Sequence, residues 1–468
     1  MSRIFTFTQF STATELGRAE ERNRRVVLSV GSSAAARGVA VAAAFITVPL
    51  TIGYLGTERY GMWMTITSIT AMLSFSDFGI GSGLVGLVAR SSGLENRGDV
   101  ARGVSSAFYI LIGIAASMIA LLGVSYNWVP WPRALNLTSP LASTEAGPAA
   151  VVFIACFALN LPLGVVQRVQ IGYQETFVSN LWQIGGTILG FCALLTAIHF
   201  KAGLPWLVAA LSGGPVVVNA ANMTRQFTIE RPWLFPAWQS FNWGCSKQLL
   251  RMGLAFFVIQ IASTVIIASD NIIIAQVLGP SDVATFSVGI RLFVLPQMIC
   301  QMVCMPLWPA YGEAFARRDL AWMRRTLRKT TLLGLSISVF LGTMFVLLGP
   351  KLTLLWTRGR ISLSYTLLIG LGASTVAACS TYPYGVFLFG VNALRFSTIT
   401  MSIVAVSSVL LKLLWAPTWG LPGVAWGTAI PYLLLNSLPA VLYATRLLAR
   451  NERMAATTGC EQHKPQES

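Results

Sequence analysis

The 468-residue sequence predicts an all-α integral membrane protein, with twelve transmembrane helices in two parallel six-helix repeats. Three observations predict it. Apolar residues make up 54% of the chain and charged residues only 11%, and the mean hydropathy is +0.66. A soluble domain carries about 25% charged residues, so most of this surface must be solvated by lipid. The apolar residues gather in twelve runs, each close to the roughly 20 residues a helix needs to cross a bilayer. Finally, landmarks of the first six runs recur in the last six. A soluble enzyme, a disordered chain and a nucleic-acid binder are excluded.

The first six spans lie near residues 30–55, 60–88, 104–127, 149–171, 177–199 and 204–222. The second six lie near 252–278, 284–310, 331–349, 362–389, 396–416 and 421–446. The expected organisation is therefore an N-terminal segment (1–29), a first bundle (30–222), a linker (223–251), a second bundle (252–446) and a C-terminal tail (447–468). Tyr54-Leu55-Gly56 closes span one and Val277-Leu278-Gly279 closes span seven. Gly203-Leu204-Pro205 opens span six and Gly420-Leu421-Pro422 opens span twelve; a mid-span proline follows in each, Pro215 or Pro431, and then Asn219 or Asn436. Pro162-Leu163-Gly164 in span four faces Pro383-Tyr384-Gly385 in span ten. Gly172-Tyr173-Gln174 likewise faces Gly390-Val391-Asn392.

The formal charge of +16 sets topology rather than marking a nucleic-acid surface. With the N-terminus inside, 24 Lys and Arg fall on the cytoplasmic side and 6 outside, and Arg37, Arg291 and Lys412 lie within spans. That bias predicts cytoplasmic termini. Residues 1–25 hold five Arg and no apolar core, so no cleaved signal peptide is expected. Residues 312–329 carry six Lys and Arg interleaved with Phe315, Leu320, Trp322, Met323 and Leu327. This pattern predicts an amphipathic helix on the inner leaflet, either setting topology or recruiting an anionic lipid. The seven Cys read as packing residues, with no metal set expected. Asn136-Leu137-Thr138 matches a glycosylation triplet, a pattern common by chance.

A repeat unit of six spans is even, so both halves enter the membrane in the same sense. Halves so related flank a midplane cavity in transporters, and mid-span prolines supply kinks. The repeat implies a transporter and no more.

Particular residues go further. Val48-Pro49-Leu50, Tyr54-Leu55-Gly56, Tyr60-Gly61-Met62-Trp63 and Ser76-Asp77-Phe78-Gly79-Ile80-Gly81 resemble the opening of the polysaccharide flippases. These are the Wzx-like members of the multidrug/oligosaccharidyl-lipid/polysaccharide (MOP) exporter superfamily, which also holds the MATE proteins. Asp270-Asn271-Ile272-Ile273-Ile274-Ala275 resembles that family's seventh span, and Arg291-Leu292-Phe293-Val294-Leu295-Pro296 its eighth. The resemblance covers nearly the whole chain. It implies a MATE-like fold in the bacterial inner membrane and reorientation of undecaprenyl-pyrophosphate-linked oligosaccharides for O-antigen, capsule or exopolysaccharide assembly. The partners it implies are the lipid-linked glycan, membrane lipid, and the polymerase and glycosyltransferases of that pathway, with no nucleic acid.

Ionisable residues within spans are costly unless they face protein or water. From the helical rise, Arg37 and Asp77 lie about 26 Å below the outer end of the first hairpin. Asp270 and Arg291 lie about 12–13 Å below the outer end of the fourth. Each pair reads as a structural ion pair, as a gate, or as separate functional groups. In the functional reading Arg37 and Arg291 bind a pyrophosphate through their planar donors, and Asp77 and Asp270 couple ions or gate. Lys412 is expected to snorkel at the end of span eleven. Gln167, Gln170 and Gln174, with Asn180 and Gln183 beyond them, form a polar series at the turn of spans four and five, a candidate sugar-contacting rim or ordinary helix-end polarity. No phosphate-cradling GxxxxGK[ST] motif is present, and His199 and His463 have no ligand set, so neither enzyme chemistry nor a cofactor or metal is expected. Two rivals remain: an ion-coupled drug/organic-cation antiporter of the same superfamily, and a membrane glycan polymerase or ligase.

Overall fold

The computed structural model describes residues 15–73, 75–131, 139–358 and 361–461. The triplet at 136–138, Arg133, Arg360 and His463 lie outside them. Among the described residues the regular structure is helical. It falls into two compact units, Met1–Leu254 and Ala255–Ser468.

The N-terminal unit holds α1 (Glu15–Leu73), α2 (Ile80–Gly93), α3 (Arg97–Ser125), α4 (Pro140–Leu163), α5 (Val165–Gly172), α6 (Thr176–His199) and α7 (Leu204–Thr224). A longer helix, α8 (Trp243–Val277), follows. Then come α9 (Pro280–Cys304), α10 (Leu307–Ala316), α11 (Leu320–Trp356), α12 (Tyr365–Gly390), α13 (Leu394–Trp419), α14 (Leu421–Pro431) and α15 (Leu438–Glu461). Ten stretches are long and apolar enough to cross a membrane. Helix α12 and the segment running from Gly56 through α2 complete the twelve spans of a multi-pass membrane protein.

The repeat seen in the sequence recurs in the backbone. Gly56 and Gly279 stand 223 residues apart, and each turns the chain at positive φ, 77° and 109°. Glycine carries no Cβ to oppose that geometry. Left-handed turn residues pair in the same way: Glu95 with Arg318, and Gln174 with Asn392. Each unit also has a π-helical turn after its mid-span proline, at Arg225–Glu230 after Pro215 and at Tyr432–Ser437 after Pro431.

Packing inside each unit follows membrane rules, with small residues where backbones approach. A Cβ on Gly214 of α7 would fall 2.7 Å from the Cα of Gly190 on α6. Gly214→Val is therefore expected to separate α6 from α7 and lower the unfolding midpoint by several degrees; an unchanged midpoint would contradict this packing. One core of the N-terminal unit gathers Leu84, Val88, Val104, Val166 and Leu249. A second gathers Met62, Trp63, Ala146, Ala150 and Leu207. In the C-terminal unit Phe286, Phe293, Leu367, Leu368 and Val424 form the main cluster. Large apolar side chains such as Phe45 and Leu355 lie outward, 80% and 81% exposed, as a lipid-facing surface requires.

One expectation is corrected. Residues 312–329 do not form one surface helix. The chain breaks at Arg317–Asp319, where Arg318 takes φ 59° and the Asp319 carboxylate accepts from the Trp322 amide at 3.2 Å to start α11. Leu320, Trp322, Met323 and Leu327 are buried in the unit while Arg318, Arg324, Arg325, Arg328 and Lys329 stay exposed. The 223–251 stretch packs within the N-terminal unit. Phe227 and Leu234 are buried in the core of the N-terminal unit, and the Tyr109 and Trp238 rings meet edge to face at 4.9 Å.

Candidate functional site

Span two is interrupted where its charge sits. Helix α1 ends at Leu73 and α2 starts at Ile80. Between them Phe78 and Gly79 take φ 46° and 72°. The Asp77 carboxylate accepts from the Gly79 amide at 2.9 Å, and the Asp77 carbonyl accepts from Ile80 N at 2.9 Å. The turn lies directly on Gly253 of α8: a Cβ on Gly253 would fall 2.7 Å from the Phe78 carbonyl oxygen. Glycine at both positions allows the two backbones to touch, and this explains the Phe78-Gly79-Ile80-Gly81 sequence.

Helix α5 completes the site. The point a Cβ would take at Gly81 lies 2.7 Å from Arg168 Nε and 3.0 Å from Asp77 Oδ2. Arg168 and Asp77 thus flank a glycine, with no ion pair between them among the described residues. Both line a cavity of about 270 Å³ that also includes Asn160, Gln167 and Asn219, with Leu111, Phe157, Leu161 and Val165 as its apolar walls. Gln167 donates to Asn219 Oδ1 at 2.7 Å, and Asn219 donates to Asn160 Oδ1 at 2.7 Å.

The amides continue as a ladder between α5 and α7. One turn on, Gln170 donates to Asn222 at 2.8 Å and Asn222 returns a bond at 3.2 Å. Gln226 instead donates to Glu230 at 2.9 Å and accepts from Arg231 at 2.7 Å. The spacing is the same on both helices, 167-170 against 219-222, so the two rungs stay in register on parallel neighbours. Gln170→Leu is expected to cost about 1–3 kcal/mol by orphaning Asn222, while Gln170→Leu with Asn222→Leu should recover most of it. Equal losses in the two variants, read as unfolding midpoints in detergent, would contradict the ladder.

Beyond the amides a charged cluster closes this end of the unit. Arg231 pairs with both Glu175 oxygens at 2.9 and 2.6 Å and lies 4.1 Å over the Tyr173 ring. Burial alone would lower the Arg231 guanidinium, and the Glu175 bonds outweigh it. Burial raises the Tyr173 hydroxyl above its ordinary value, against the pull of Arg231. Arg25 donates to the Tyr173 carbonyl at 2.8 Å and to Glu21 at 2.9 Å.

The C-terminal unit does not repeat the ladder. By the 221-residue offset Thr381 stands where Asn160 does, and it donates to Ser437. Asn436, the counterpart of Asn219, accepts from Thr400 at 3.3 Å. The charge here is Asp270, and its partner is Lys412 on α13, not Arg291: Lys412 Nζ lies 2.7 Å from Asp270 Oδ1. Lys412 is fully buried. The expected snorkelling is therefore wrong, because at this depth the ammonium finds two oxygen acceptors and a counter-charge inside the bundle and none outside it.

Arg37 and Arg291 both lie on exposed faces of their helices, without an ion partner among the described residues. The structure does not join Arg37 to Asp77. Of the three glutamines proposed as a rim, Gln167 lines the cavity, whereas Gln170 is fully buried and Gln174 nearly so. Gln170 serves the ladder, because its amide finds the complementary amide of Asn222 on α7. Asn180 is buried as well, donating to Ser32 and Ser33 at 2.9 and 2.8 Å; Gln183 is exposed. Arg168, Asn160, Asn222 and Gln226 were missed. Arg168 is one of the 24 cytoplasmic charges of the topology count, and the 3-4 spacing of 219-222-226 is the signal that finds Asn222 and Gln226.

Comparisons with known proteins agree with this architecture. A family model described as "Polysaccharide biosynthesis protein" matches residues 26–315. A putative O-antigen transporter of Salmonella typhi is 22% identical over 402 residues, covering 83% of this chain and 89% of that protein. A putative O-antigen export protein of Yersinia pseudotuberculosis is 21% identical over 433 residues, covering 88% and 94%. Among solved structures, MATE in the bent conformation superposes with a TM-score of 0.77 at 15% identity, over 94% of this chain and 98% of that one. A MOP superfamily transporter from Pyrococcus furiosus gives 0.75 at 15% identity, over 93% and 97%. The solved structures share the fold of this chain, and the family match spans more than half of it: the chain belongs to the polysaccharide biosynthesis protein family and has a MATE-like fold.

Proposed function

We propose that this protein is a flippase. It moves undecaprenyl-pyrophosphate-linked oligosaccharide repeat units across the bacterial inner membrane by alternating access, with both termini cytoplasmic, for assembly of O-antigen, capsule or exopolysaccharide. It is a transporter and not an enzyme. The observation that carries the reading is the amide-lined cavity holding Arg168 within a membrane-spanning unit. Amide side chains both donate and accept, as the hydroxyls of a glycan do. A guanidinium suits a phosphate oxygen. Arg37 and Arg291, exposed and without carboxylate partners among the described residues, are each candidates to bind the pyrophosphate, and Gln167 to bind sugar.

The names of the relatives support a polysaccharide-unit cargo. The charge balance speaks against an organic-cation antiporter. Asp270 is neutralised by Lys412, so this carboxylate is not left to attract a cation. Binding tests the choice. A short-chain polyprenyl-pyrophosphate oligosaccharide should quench tryptophan fluorescence of the purified protein saturably, weaken with salt, and weaken in Arg37→Ala and Arg291→Ala. Saturable binding of ethidium with none of the glycan lipid would favour the antiporter.

A further inference from the structure

The Lys412 ammonium is held the way a bound metal cation would be. Its Nζ lies 2.7 Å from the Ile266 carbonyl oxygen and 3.1 Å from Ser269 Oγ, and 2.7 Å from Asp270 Oδ1. Two of the ammonium's three donors are received by the carbonyl and the hydroxyl, and the carboxylate supplies the counter-charge. All three oxygens belong to one turn of α8, so a single helix supplies a carbonyl, a hydroxyl and a carboxylate around one point. These are the hard oxygen donors that a monovalent cation takes.

The site is sealed. The Lys412 side chain is 0% exposed and that of Asp270 10%. Ala262, Ile266, Val404 and Ala405 pack beside it, with Met401 and Tyr432 against them. Helix α14 closes from the other side, where a Cβ on Gly427 would fall 2.9 Å from Lys412 Cγ and 3.0 Å from its amide nitrogen. A glycine at that position lets α14 cover the aliphatic stem of the lysine. A free cation could leave such a shell; an ammonium on a packed stem cannot.

We propose that Lys412 is a tethered cation: its ammonium fills an oxygen-lined site for a monovalent cation built by Ile266, Ser269 and Asp270, so this site exchanges no coupling ion. Asp270 is then a positioning carboxylate, and any ion gradient that drives the protein acts elsewhere. The proposal stands independently of the cargo.

The test is thermal unfolding of the full chain in lipid nanodiscs, followed by tryptophan fluorescence at constant ionic strength. Chlorides of sodium, methylammonium and N-methylglucamine are compared. Wild type should give one midpoint in all three. Lys412→Ala should unfold earlier in N-methylglucamine, and sodium or methylammonium should raise its midpoint by about 5 °C as they enter the vacated shell. Lys412→Ala with Asp270→Asn should respond to neither. Lys412→Ser, which also empties the shell, is run beside it in case the alanine variant does not fold, with the same response expected. A wild-type midpoint that rises with sodium and loses the rise in Asp270→Asn overturns the proposal. So does indifference of both Lys412 variants to the small cations.

Discussion

Lys412→Met is expected to destabilise the protein by about 3–5 kcal/mol, because it leaves the Asp270 carboxylate buried without a counter-charge. The loss should reverse in large part when Asp270→Asn is added, since a neutral pair of similar volume needs no compensation in a low-dielectric interior. The comparison separates the cost of an orphaned charge from the cost of altered packing. Apparent unfolding midpoints in detergent suffice to rank the variants. A double variant as unstable as the single one would mean that the lysine stem, not the charge, holds α13 against α8. Near wild-type stability of the single variant would mean that the Asp270 carboxyl takes up a proton, or that the pair opens to water.

Arg168→Ala should lower transport of the glycan lipid by at least about ten-fold, equivalent to about 1.4 kcal/mol of lost interaction. Arg168→Lys should recover only part, because an ammonium is a point charge and lacks the planar fork that matches a phosphate. Folding should change little, since Arg168 makes no ion pair among the described residues and half faces the cavity. Adding Asp77→Asn distinguishes two roles. If Arg168 contacts cargo, Arg168→Ala with Asp77→Asn stays inactive. If it only balances Asp77, the double variant regains activity. Unchanged transport in Arg168→Ala alone would remove this cavity from the cargo path.

The fold was legible because its determinants are local. Glycine–leucine turns and mid-span prolines mark helix ends and kinks, and they recur because each unit must turn its chain at the same places. Gly56 and Gly279 are the clearest pair. Charges were harder, because depth along a helix can be counted but azimuth cannot. Lys412 lies 8 residues before the turn at Gly420, and Asp270 lies 9 before the turn at Gly279. Equal depth was therefore available to join them, and Arg291 was chosen instead because it shares a hairpin with Asp270. Arg168 was read as a loop charge for a similar reason. It lies four residues from a helix end at Gly172, and only the fold places it beside Gly81 with Asp77. The amides were half visible: 167-170-174 stood out, whereas 219-222-226 lies partly in a π-helical turn beyond the apolar run.

The central claim is that this chain carries lipid-linked glycan between leaflets. Its most direct test is reconstitution of the purified protein in liposomes with a fluorescent undecaprenyl-pyrophosphate oligosaccharide, timing how fast the sugar on the inner leaflet becomes accessible to an impermeant quencher added outside. The account predicts movement that scales with protein content and is lost in Arg168→Ala protein that is folded and reconstituted to the same level. Leaflet exchange no faster than in protein-free liposomes, from preparations that bind the same glycan lipid saturably, would contradict it.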